Sequence, residues 1–149
     1  MKSAYKGFTL IEITLVIVLI AILLAITTPL VSSVVNRNDV GVAHESLYNG
    51  LLRAQQLSKN NYQNSQWRVC LDNSNKQYTI TSGPCSDPTN AEIIKISSNI
   101  TISSEQTLDI AFKAISGELD STSNSITITL TGGGASKSII IKPSGVIDK

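Results

Sequence analysis

The hydrophobic positions divide the chain into an apolar N-terminal run and a longer, mixed remainder. Between Ile13 and Ile26 no side chain is charged and Thr14 is the only polar one, and the apolar-dominated stretch extends over residues 8–35. A membrane-spanning helix needs about 20 such residues, whereas the apolar core of a signal peptide has about 7–15. The pattern therefore predicts one membrane-spanning helix over 8–35. Because Lys2 and Lys6 precede it, we expect the short N-terminus to remain cytoplasmic.

After a polar segment at residues 36–39, a helical period resumes. Apolar residues recur at spacings of three and four, which places them on one face of a helix: Val40, Ala43, Leu47, Leu51 and Ala54. Gly41 and Gly50 weaken such a helix by about 1 kcal/mol each relative to alanine. The sequence predicts one long helix from Phe8 to Ser58, whose second half is amphipathic and packs on a sheet.

The rest of the chain has the alternation and turn residues of short strands. The predicted strands are Trp67–Leu71, Gln77–Thr81, Ile93–Ser97, Ile100–Ser103, Leu108–Lys113, Ser125–Thr131 and Lys137–Lys142. The glycines of "TGGGAS" are expected to join the last two strands as a hairpin. The predicted fold class is thus α+β, with a long N-terminal helix packed on an antiparallel sheet.

Charge and cysteine usage narrow the function classes. The formal net charge is +1, and it becomes −1 without residues 1–7. No strong field is therefore available to attract nucleic acid or an anionic membrane surface. Cys70 and Cys85 are an even pair in a chain that looks exported, which favours a disulfide closing a loop of about 15 residues. Two reduced thiols, as in a cytosolic protein, are the alternative.

Glu12 is the anomaly in the apolar run. A carboxylate deep in a membrane helix costs about 2.5–3.5 kcal/mol on insertion scales, so such residues usually have a partner. Glu12 either lies near enough to the interface to reach water or pairs with a cation from another chain. A free α-amino group would serve as that cation.

The residues "KGFTLIE", followed by the apolar run, resemble the N-terminal signal of type IV pilins and pseudopilins. The resemblance implies that prepilin peptidase removes residues 1–7 by cutting between Gly7 and Phe8, and that Phe8 is then N-methylated. It also implies that Glu12 pairs with the N-terminal amine of a neighbouring subunit. Residues 8–35 would form the transmembrane and filament-core helix, and residues 36–149 would form the second helix half and the globular β domain. Pro29 matches a proline of this family and predicts a kink.

The C-terminal part is similar to the GspH/FimT group of minor pilins and pseudopilins. Phe112, Gly117 and Gly145 are the matching positions. Some members of that group bind DNA through a basic glycine–arginine element. Here no arginine follows Lys113, and Lys137, Lys142 and Lys149 are the C-terminal cations that remain.

These features predict a structural subunit, either of a type IV pilus or of a type II secretion pseudopilus. The expected partners are prepilin peptidase, other pilin or pseudopilin subunits, the inner membrane and, for a pseudopilus, secreted protein cargo. The expected location is the inner membrane, as a single-pass protein with its C-terminal domain in the periplasm, and then the pilus or pseudopilus. The alternatives are a DNA-binding minor pilin in natural transformation and an anchored protein that never polymerises.

The residues do not suggest an enzyme, a metal site or a cofactor. His44 is the only histidine, and it lies on the predicted helix, where a surface or interface position is expected. A metal site of the usual histidine-rich kind needs several such ligands. A serine or cysteine nucleophile would also need a nearby base.

Overall fold

A computed structural model describes residues 7–105, 108–120 and 124–149, without the side chains of 25–37. The chain forms two compact units, Met1–Val35 and Asn36–Lys149. One helix, α1, extends over the 50 residues Leu10–Lys59 and so begins two residues after the predicted start. The helix assignment continues through position 29, but the Pro29 side chain, and with it the predicted kink, lies outside the described residues.

Within the part of the chain that the structure describes, no helix is both long enough and apolar enough to cross a membrane. The predicted span of 8–35 includes residues 25–35, whose side chains lie outside the described set.

The second unit contains a short 3-10 helix, Tyr62–Asn64, and eight strands in its described residues. The strands are β1 (Trp67–Asp72), β2 (Gln77–Thr81), β3 (Glu92–Lys95), β4 (Thr101–Ser104), β5 (Asp109–Phe112), β6 (Ile126–Gly132), β7 (Ala135–Ile141) and β8 (Ile147–Asp148). They form two four-stranded sheets, with the orders β3-β2-β1-β5 and β4-β6-β7-β8. Every pairing between these strands is antiparallel.

Two sheets replace the single sheet that we predicted. The chain changes sheet between β3 and β4, because β4 pairs with β6 rather than with its neighbour in sequence. Strand alternation identifies which face of a strand is buried, but it does not identify the strand's partner. The prediction of helix and antiparallel strands is confirmed, and the number of sheets is corrected.

The inner faces of both sheets and one face of α1 share a single hydrophobic core. The helix contributes the five residues predicted from its spacing, and each of them is at most 5% exposed: Val40, Ala43, Leu47, Leu51 and Ala54. Fully buried isoleucines and leucines of β6 and β7 face them from the second sheet: Ile126, Ile128, Leu130, Ile139 and Ile141. The second half of α1 is therefore held by apolar packing rather than by helix propensity alone.

The predicted hairpin between β6 and β7 is present. Gly132 pairs with Ala135, so the loop consists of Gly133 and Gly134, whose φ angles are 55° and 76°. Two consecutive positive φ angles are typical of a type I′ turn, which only glycine, asparagine and aspartate adopt readily. The glycines of "TGGGAS" are thus explained by this turn.

Candidate processing and assembly site

The N-terminal residues present an open backbone in front of a helix. A side chain added at Gly7 would meet no atom of the described residues within 4 Å. The helix begins at Leu10, and the carbonyl of Thr9 accepts hydrogen bonds from the N–H groups of Glu12 (3.1 Å) and Ile13 (3.3 Å). The predicted cleavage position therefore lies outside regular secondary structure, just before the first turn of the helix.

Glu12 lies in the first turn of α1, where the helix dipole favours a negative charge. Its side chain is exposed and lines a shallow apolar recess with Phe8, Ile13, Val16 and Ile17. No ion pair of Glu12 occurs among the described residues. Glu12, the only carboxylate between Phe8 and Leu24, thus lies beside apolar side chains, and no described cation forms an ion pair with it.

The side chains that follow are also exposed, although most are aliphatic. The large hydrophobic residues from Phe8 to Leu24 are between 48% and 82% exposed. A stretch of this length exceeds what a soluble monomer usually leaves uncovered, and it indicates a surface that lipid or protein normally covers.

The family "Prokaryotic N-terminal methylation motif" matches residues 2–28. The match supports a type IV pilin-like protein. It covers most of the predicted leader, the predicted cleavage position and most of the apolar segment 8–35. It implies processing by prepilin peptidase and assembly with other pilin subunits, and it suggests a structural subunit that is membrane-anchored or pilus-associated. No curated protein and no solved structure matches the chain.

The two cysteines of the chain form a disulfide. Cys70 and Cys85 have a Cα–Cα distance of 5.7 Å, and their sulfurs lie near the Asp109 carboxylate, with the three candidate ligand atoms within 4.8 Å of one another. Because both sulfurs are bonded to each other, neither is available as a thiolate for a metal. In this oxidised form the group is a crosslink rather than a metal centre.

The disulfide holds the loop of residues 82–91 over the outer face of the first sheet. Thr79 and Thr81 point away from the core, yet both are buried. Thr81 Oγ1 donates to the Thr89 carbonyl at 2.7 Å, and the Ser82 N–H donates to the same oxygen at 3.1 Å. The loop is therefore fixed by hydrogen bonds as well as by the crosslink.

Two of the three positions that suggested the GspH/FimT group are in contact in the fold. Gly117 and Gly145 are so close that a Cβ on Gly145 would collide with the Gly117 carbonyl oxygen. The carbonyls of both glycines accept hydrogen bonds from the Gln55 side-chain amide, at 2.9 and 2.5 Å. Phe112, the third position, is fully buried in the core. Gln55 was not predicted from the sequence, although a polar residue next to Ala54 on the buried helix face indicated a hydrogen-bonding role.

The C-terminal lysines that could attract DNA are largely engaged with acids. Lys142 Nζ lies 2.7 Å from Asp148, and Lys149 Nζ lies 2.6 Å from Glu45 and 4.3 Å above the Tyr48 ring. The hydrogen bond from Lys149 lowers the pKa of Glu45 below its ordinary value, which keeps this carboxylate charged.

His44 is buried rather than at the surface, which corrects the expectation for a lone helical histidine. Its Nε2 lies 3.2 Å from the Ser138 carbonyl, so this nitrogen carries the proton and donates to β7. Burial follows from its place beside Ala43, on the helix face toward the second sheet. The helical spacing that predicted the buried face was based on apolar residues, and His44 was therefore not included in it.

Proposed function

We propose that this chain is a minor pilin or pseudopilin, a structural subunit of a type IV pilus or a type II secretion pseudopilus. The observation that carries the proposal is the methylation-motif match, which falls on an exposed apolar helix whose one carboxylate, Glu12, forms no ion pair with the described residues. The inner membrane holds the subunit in a single pass, with residues 36–149 in the periplasm, until assembly moves it into the filament.

In this proposal the N-terminus is made in two steps. Prepilin peptidase hydrolyses the Gly7–Phe8 bond, which releases residues 1–7 and leaves a free amine on Phe8, and the amine is then methylated. The new ammonium supplies the cation that Glu12 lacks. In an apolar environment this attraction is screened less than in water, so the pair can select the register between subunits.

The proposal extends to the GspH/FimT group. The packing of Gly117 against Gly145 around Gln55 supports it, since two of the positions that carry the resemblance are tied to one hydrogen-bonding side chain. Within this group, DNA binding in natural transformation is the alternative function. The ion pairs of Lys142 and Lys149 do not favour it.

Mass spectrometry of the mature chain, isolated from cells that have the processing enzyme, tests the proposal. We expect a first residue of N-methylated Phe8. A mature chain that retains residues 1–7 would contradict the assigned cut and, with it, the filament role. Gly7→Glu, which places a bulky charge at the scissile bond, should leave the leader attached and serves as the uncleaved reference.

A further inference from the structure

The loop after β5 holds an apolar side chain in an unfavourable backbone conformation. Ile115 has a φ of 70°, in the left-handed region that β-branched residues rarely adopt. Its side chain is 75% exposed, more than any other large hydrophobic residue described after Leu24. A strained backbone that presents an exposed apolar group is typical of contact sites, where function maintains the strain.

Hydrogen bonds on both sides hold Ile115 in this conformation. Its N–H donates to the carbonyl of Ser58, in the last turn of α1, at 2.9 Å. The Gly117 N–H donates to the Lys113 carbonyl at 2.9 Å, and the Lys113 N–H donates to the backbone carbonyl of Glu118 at 2.8 Å. The backbone at Ile115 is thus fixed, so the loop loses little conformational freedom when a partner binds the side chain that it presents.

A recess of matching character lies near the start of the folded unit. It has a volume of about 150 Å³ and is lined by the apolar residues Val42, Ala43 and Ile96 together with the polar residues Asp39, Ser46, Lys95 and Ser97. Val42 is 63% exposed there. A protein cavity of about this volume accommodates a benzene-sized group, so one branched aliphatic side chain fits. From Val42 to Ser58 the helix rises about 24 Å, so Ile115 cannot reach the recess of its own chain.

The charged groups around the projection and around the recess are complementary. Lys113 and Glu118 flank Ile115 and lie 3.7 Å apart, with both side chains about half exposed. Asp39 and Lys95 line the recess beside the apolar residues. The side chain of Lys59 also lies against Gly117, beside the projection, and Asp39 accepts a hydrogen bond from Ser97 at 3.1 Å. Lys113 can face Asp39 while Glu118 faces Lys95.

We propose that Ile115 of one copy of this chain inserts into the Val42–Ala43–Ile96 recess of a second copy. The two surfaces are different and lie at opposite ends of the helical segment 42–58. A contact of this kind is heterologous, and when the rotation between copies does not close, it builds an open filament. The inference rests on the proposed function and adds a contact between folded units to the pairing at Glu12.

The first test is Ile115→Asn in the full-length chain, produced in cells with the processing enzyme. Asparagine tolerates the left-handed region, so the variant should melt at a higher temperature than the wild type while chemically crosslinked multimers fall several-fold. Ile140→Asn, at an exposed apolar position of β7, is the matched control and should leave the multimers unchanged. Equal multimer yields from Ile115→Asn and the wild type would overturn the proposal.

The second test locates the contact. A photoreactive benzoylphenylalanine at Ala114, an exposed neighbour of Ile115, should crosslink to the tryptic fragment Asn38–Arg53 of a second copy. Lys113→Glu should reduce this crosslink by placing two acids together, and Asp39→Lys in the same chain should restore it. A crosslink only to a different protein, or no recovery in the double variant, would overturn the proposal.

The outcomes separate this inference from the proposed function. If wild-type multimers form and Ile115→Asn leaves them intact, the subunit role stands and the contact is wrong. If the leader is cleaved and wild-type chains never crosslink to any pilin-type subunit, the filament role itself fails.

Discussion

Gly50 and Gly41 lie in the same helix but differ in what a side chain would meet. A Cβ at Gly50 would lie 2.7 Å from a ring carbon of Tyr78, whereas a Cβ at Gly41 would have no neighbour within 4 Å. The Tyr78 hydroxyl donates to the Ser46 carbonyl at 2.8 Å, and burial raises its pKa, so the ring is firmly held. Gly50 is therefore a contact position, and Gly41 is not.

We expect Gly50→Ala to lower the free energy of unfolding by about 1–3 kcal/mol, because the added methyl group overpacks the helix against Tyr78. Gly41→Ala should raise it by up to about 1 kcal/mol through helix propensity alone. Urea denaturation of both variants, as full-length chains in detergent micelles, measures the difference. Equal effects of the two substitutions would show that Tyr78 does not restrict position 50.

Asp72 gives the turn between β1 and β2 a pH dependence. The side-chain amide of Asn75 donates to its carboxylate at 2.6 Å, and this bond, with the N–H groups of Asn75 and Ser74, lowers the pKa of Asp72. A lowered pKa stabilises the fold above the unfolded value of about 3.9, and the gain disappears as pH falls through the folded value. The melting temperature of the wild type should exceed that of Asp72→Asn at pH 7, and the difference should shrink below about pH 4. A difference that stays constant down to pH 2 would contradict this account.

At the scale of elements, the sequence pattern predicted most of the strands. It failed where the limits of a strand depend on the strand that it pairs with. The limits of β2 are those predicted from alternation, and β6 ends only one residue later than expected. β3 covers Glu92–Lys95 rather than Ile93–Ser97, because after Lys95 the chain turns and Ser97 hydrogen-bonds to Asp39. The two-residue β8 has no pattern of its own and exists because Ile147 pairs with Ile141.

The role of the disulfide loop also could not be predicted from the sequence and was recognised only in the fold. Two cysteines 15 residues apart indicated a crosslink, but not that residues 82–91 fold back over Thr79 and Thr81. Gly83 allows this path, since a Cβ there would lie 2.6 Å from Thr89 Oγ1. The loop is thus a third layer on the first sheet, and the crosslink holds it there.

Replacing both cysteines by serine should lower the free energy of unfolding by about 3 kcal/mol, the value of a 15-residue closed loop in the chain-entropy model. The wild type in reductant should match the double variant when both are unfolded in urea. Hydrogen exchange at the Ser82 N–H, which donates to Thr89, should accelerate in both. Unchanged exchange at Ser82 would mean that the hydrogen bonds alone hold the loop.

At the scale of the whole molecule, the two units differ in how much apolar side-chain surface they expose. The large apolar side chains of residues 8–24 are exposed, whereas residues 36–149 enclose a continuous core. Without residues 1–7 the formal charge is −1, so no strong net charge draws subunits together or apart. In the proposed filament, assembly would therefore depend on apolar area and on a few placed charges, of which Glu12 is the only one between Phe8 and Leu24.

Glu12→Ala separates assembly from insertion. Removing the carboxylate spares the cost of burying it, about 2.5–3.5 kcal/mol on insertion scales, so membrane insertion and leader cleavage should be at least as efficient as in the wild type. Filament or multimer yield should nevertheless fall at least tenfold, because the methylated amine of Phe8 loses its partner and two subunits lose their register. Thr14→Ala is the matched control, since Thr14 Oγ1 donates to the Ile11 carbonyl of its own helix, at 2.9 Å. Immunoblots of sheared or crosslinked material, beside the cleaved chain in the membrane fraction, give both quantities. If Glu12→Ala assembles as well as Thr14→Ala, the carboxylate does not set subunit register, and the apolar surface alone must do so.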